Sequence, residues 1–129
     1  MTPSTAAVLA AIGFLVIAAF QLALAAGAPL GRAAWGGKSA TLPGNLRRAS
    51  AVAFVIWLLA AVLILGRAGV IDVPVPSIVL TVGAWILVVL SALGALVNVA
   101  SSSVWERFGW APLAAAMAIL SAIVASSPS

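Results

Sequence analysis

The chain has 129 residues, 65% of them hydrophobic and only 6% charged, with a formal net charge of +4. No water-soluble domain of this length has that balance, and its six cations are spread over loops rather than gathered on one face, which excludes nucleic acid as a partner. Histidine, cysteine and tyrosine are absent, so the usual haem ligands, thiolate metal sites, disulfides, cysteine nucleophiles and histidine bases are excluded as well. No metal or other cofactor is expected.

Four apolar stretches, 6–26, 50–65, 77–99 and 111–125, carry no charged residue. A helix needs about 20 mostly apolar residues to cross the hydrocarbon core, and a spanning segment must satisfy its own backbone. The pattern predicts an all-α integral membrane bundle of four transmembrane helices in one membrane domain, 1–129, with spans at about 4–26, 46–66, 77–100 and 108–125.

The first helix is predicted to start at Pro3-Ser4 and to end at Gly27-Ala28-Pro29. Ala26-Gly27-Ala28 has the look of a signal-peptide cleavage site, but 1–5 has no positive charge and the apolar run is too long for a leader, so it is read as a span. The first loop runs to Gly44 and holds Arg32, Trp35, Gly36-Gly37 and Lys38; 30–35 is read as one short turn at the interface, with Trp35 as an anchor. Pro43-Gly44-Asn45 reads as a turn and cap before a second helix starting at Leu46. Arg47 and Arg48 then fall in its first turn, where the helix dipole disfavours cations. Their presence suggests an external cause, such as anionic headgroups or the orientation signal.

The second helix should end over 66–69, and Pro74 and Pro76 keep the next loop extended. The third helix follows from Ser77 to about Ala100. Ser103-Val104-Trp105-Glu106 fits a capping box for a short interfacial helix that Gly109 and Pro112 bend or restart into the fourth span. Glu106 could alternatively pair with Arg32, Arg47 or Arg48. Arg32, Lys38, Arg47, Arg48 and Arg107 lie in loops one and three, and Arg67 alone lies on the other side. That asymmetry predicts loops one and three in the cytoplasm and both termini outside, in a multi-pass protein of the plasma (inner) membrane.

At 100° per residue, Thr81, Ala84, Val88, Ser91, Ala95 and Asn98 share one side of the third helix, and Val82, Ile86, Val89, Leu93 and Val97 the other. The fourth helix reads similarly, with Ala111, Ala114, Ala115, Ala118, Ser121, Ala122 and Ala125 inward and Leu113, Leu120 and Val124 toward lipid. In lipid, small faces pack together because the tails already solvate Leu and Val. Gln21 and Trp57 lie at similar depths, with Ser91 deeper and Asn98 nearer the surface. These four form a candidate polar cluster, either as interhelical glue or as the wall of a pocket. An echo, Gln21…Arg32-x-x-Trp35 and Asn98…Arg107-x-x-Trp110, raises two repeated helical hairpins.

The residues Gly27-Ala28-Pro29-Leu30-Gly31-Arg32-Ala33-Ala34-Trp35-Gly36-Gly37, Leu42-Pro43 with Arg47, and Asn98 through Arg107 resemble small uncharacterised four-helix membrane proteins of bacteria. That resemblance implies a bacterial inner-membrane location and no particular mechanism. The leading expectation is a non-enzymatic protein acting through helix packing, as an accessory subunit or homo-oligomer. Its partners are then membrane lipids and a second copy or another membrane protein. The alternative is a small transporter, or a protein that binds lipid or a small molecule. Against proton-coupled transport stands the lack of a carboxylate in any span. An enzyme acting on lipids would need Ser or Glu106 chemistry with no histidine base.

Overall fold

Thr2 begins the fold: its Oγ1 accepts the Thr5 N–H at 3.1 Å and caps α1, Pro3–Ala25. Pro3 occupies the first helical position, where its missing N–H costs nothing. The structure, a computed structural model, describes residues 1–128. Three further long helices follow: α2, Gly44–Arg67; α3, Ser77–Ala100; and α4, Ala111–Ala125. Helix α2 starts at Gly44, directly after extended Pro43, so Asn45 lies inside the helix instead of capping it. All elements among the described residues are helical, and four helical segments, the last being Glu106–Ala125, are long and apolar enough to cross a membrane.

The fourth segment opens on a widened π-turn, Glu106–Trp110, in which the Ala111 N–H reaches back to the Glu106 carbonyl. Pro112 explains it. Proline has no N–H and its ring collides with the carbonyl four residues back, so the ordinary α pattern fails there and the turn widens. The segment is thus one helix carrying a bulge, with no break at Gly109.

The four helices form a ring in which α1 packs most extensively on α2 and α3 on α4. Helices α1 and α4 close the ring; α2 and α3 share the smallest contact of the four neighbouring pairs. Near their joining loop, Leu63 fills the space beside Gly83, and Val73 the space beside Gly66. The main core sits toward the termini. Alanines 6, 7, 10 and 11 of α1 meet Ala60, Ala61 and Ile64 of α2, with Leu87, Met117 and Val124 from the other pair. Such close approach follows from small residues on both sides. A second small core, Leu24, Ala34 and Leu42, ties the first loop to the opposite end of the bundle.

On α3 the buried residues are Ala84, Leu87 and Ser91, while Val82, Ile86, Val89, Leu93 and Val97 are exposed, so the small face turns inward. Helix α4 corrects its expectation. Val124 is fully buried, Leu113 and Leu120 pack against the core, and Ala115 is exposed. Alanine lies around most of this helix, so composition does not fix its rotation. The phase is set by Met117, which occupies the space that Gly13 of α1 leaves open.

Candidate functional site

Loops one and three lie at the same end of the bundle and are bonded to each other. The backbone of the first loop turns left-handed over three residues, Trp35 (φ 50°), Gly36 (φ 85°) and Gly37 (φ 74°). Glycine takes this conformation freely, whereas for tryptophan it is costly. Trp35 is held there by its indole N–H, which donates to Ser50 Oγ of α2 at 2.9 Å. The turn presents the Gly36 N–H to Glu106 Oε1 at 3.0 Å, and Ser101 Oγ donates to the same oxygen at 2.6 Å. Ser103 Oγ donates to the Arg32 carbonyl at 2.6 Å, and Arg32 donates to the carbonyls of Gly37 and Lys38. The Arg32 backbone and the Glu106 carboxylate therefore clamp the two loops together.

Glu106 lies at the centre of this clamp and is 8% exposed. The alternative pairing with Arg32, Arg47 or Arg48 is not what it makes: both bonds to its carboxylate come from neutral donors. The capping box forms in one direction only. The Glu106 N–H donates to Ser103 Oγ at 3.4 Å, while the Ser103 N–H goes to Ser101 Oγ. The π-turn swings the Glu106 side chain away from its own helix start and toward the first loop.

Arg47 also corrects its expectation. Its Nε donates to the Ala25 carbonyl at 3.0 Å, at the end of α1. A cation unfavourable to its own helix start is favourable at a neighbouring helix end. Arg67, 9% exposed, does the same at the opposite end of the molecule, donating to the carbonyls of Ala125 and Ser127 after α4. Arg48 and Arg107 are exposed, and Arg107 lies over the Phe108 ring.

Beneath the clamp is a cavity of about 600 Å³ between the four helices and the two loops. Gln21, Trp57, Ser91 and Asn98 all line it. No hydrogen bond among the described residues joins these side chains. Gln21 Oε1 and Ser91 Oγ are instead buried without a protein partner. Trp57 stacks on Phe14, with centroids 5.6 Å apart and planes 15° from parallel. Trp35, Trp110, Glu106 and Lys38 also line it. Trp110 is half-buried and packs on Phe20, with centroids 4.7 Å apart. Trp105, by contrast, is largely exposed. The sequence carried two signals for what was missed. Gly36-Gly37 marks a turn able to offer backbone N–H groups, and Pro112 marks the widened turn that redirects Glu106.

Asp72 is exposed in the loop between α2 and α3, at the far end from Glu106, so these two carboxylates share no site. The arrangement defines a class: a four-helix bundle with spans of membrane length and an amphipathic cavity under a two-loop cap. Comparison with protein-family models, curated proteins and solved structures finds no match to the chain.

Proposed function

We propose that this is a non-enzymatic, multi-pass membrane protein that binds one amphiphilic small molecule or lipid in the cavity beneath the clamped loops. The supporting observation is the cavity itself, about 600 Å³, whose wall joins apolar and aromatic side chains to polar ones, among them Asn98, Ser101 and Glu106. A pocket of that size and mixed lining suits a drug-sized amphiphile. The cation asymmetry supports a plasma (inner) membrane orientation with the clamped loops in the cytoplasm and both termini outside. The resemblance to small bacterial membrane proteins supports a bacterial source. The matching placement of Gln21 with Trp35 and of Asn98 with Trp110 around one cavity supports two repeated hairpins.

The test is native mass spectrometry of the full chain purified in a mild detergent. The expected result is a non-detergent adduct of small mass on wild type that is lost from Gly94→Leu. Gly94 lines the cavity, and a Cβ there meets Ala114 of α4 at 4.0 Å, an ordinary van der Waals contact, so the helicity and thermal midpoint of the variant are compared with wild type by circular dichroism. Absence of any such adduct, with a stoichiometric protein partner in its place, would favour the accessory-subunit reading.

A further inference from the structure

We propose that the cavity selects organic cations, meaning a single positive centre on an apolar body. This rests on the binding reading above and specifies its ligand. Two charged side chains line the cavity, Glu106 and Lys38. They differ in placement: Glu106 is buried in the wall, and Lys38 is exposed and free to turn into water. Glu106 Oε1 takes both neutral hydrogen bonds, and Oε2 is not among the buried atoms left without a partner, so it has access to open space. A buried carboxylate without a cation is costly, and a cationic partner removes that cost.

The remaining wall favours the same sign. Trp35, Trp57 and Trp110 line the cavity, one face of Trp57 being covered by Phe14, and the negative quadrupole of an aromatic ring attracts a desolvated cation. The N–H best placed to receive an anion, that of Gly36, is already taken by Glu106. The other cations at this end are committed elsewhere. Arg32 and Arg47 hold backbone carbonyls, and Arg107 covers Phe108. Arg48, exposed beside Gly44, is not part of the cavity wall.

Two probes of the same shape and opposite charge decide the matter: tetraphenylphosphonium and tetraphenylborate. Each is titrated into the full chain in a neutral detergent and followed by tryptophan quenching, with Gly94→Leu as the baseline for partition into the micelle. Tetraphenylphosphonium is expected to bind wild type at least about tenfold more tightly than tetraphenylborate, as one desolvated cation–aromatic or ion-pair contact suffices for that ratio. Glu106→Gln keeps an acceptor oxygen for Gly36 and Ser101 and removes only the charge, so it should erase most of the preference. Equal affinities on wild type, or preference for the borate, overturn cation selection while leaving an amphiphile cavity intact. Failure of both probes to bind, together with no adduct in the native mass spectrum, overturns the cavity reading itself.

Discussion

Arg67 shows how one side chain serves two roles in this molecule. Its position at the end of α2 suits the helix dipole, and its guanidinium simultaneously closes the last turn of α4 through Ala125 and Ser127. Those carbonyls would otherwise end a buried helix without donors. Arg67→Ala should therefore lower stability by about 1–3 kcal/mol, read as a lower midpoint of thermal unfolding by circular dichroism in detergent. Arg67→Lys should recover only part of the loss, because a single ammonium cannot reproduce the planar fork. Arg48→Ala, at an exposed position, should leave the midpoint unchanged. An equal loss for Arg48→Ala and Arg67→Ala would refute the capping role.

At the scale of the element, α4 is the informative case. Its inward face runs through Ala114, Met117, Ser121 and Val124, and Ile119 points away at 64% exposure. Ser121 is fully buried, so Ser121→Leu adds volume where none is free. Overpacking of this kind typically costs about 1–3 kcal/mol. Ile119→Ala truncates an exposed side chain that packs on no other helix, and should be close to neutral in detergent. The pair is measured by thermal unfolding in detergent; a milder effect for Ser121→Leu than for Ile119→Ala would mean that the helix is rotated from the position described. Leu120 is a poor neutral control, since it packs against the core.

Across the whole molecule, the two loops of the clamp share one end and the two termini the other. With no native thiol, single cysteines report the orientation directly. Thr41→Cys and Ser126→Cys replace exposed residues at opposite ends of the bundle. In intact cells, a membrane-impermeant maleimide should label position 126 and spare position 41. The reverse pattern would invert the proposed orientation, with no change to the fold or the cavity.

The number of helices, their approximate ends and the inward face of α3 were legible in the sequence. Each rests on a local property: apolar length, proline and glycine at the ends, and small residues recurring at helical spacing. The sequence likewise brought Gln21, Trp57, Ser91 and Asn98 to notice, because polar groups stand out in an apolar run. Their relation to one another was not legible. Whether Gln21 of α1 bonds to Trp57 of α2 depends on how those two helices are rotated against each other, which no residue in either helix encodes alone. The rotation of α4 was decided by Met117 finding the gap at Gly13, more than a hundred residues away. Glu106 was placed by two distant causes, the widened turn forced by Pro112 and the N–H presented by Gly36. Local composition determined which segments are long and apolar enough to cross a membrane. Only the tertiary structure decided which polar atoms meet, because that depends on pairings between elements far apart in the chain.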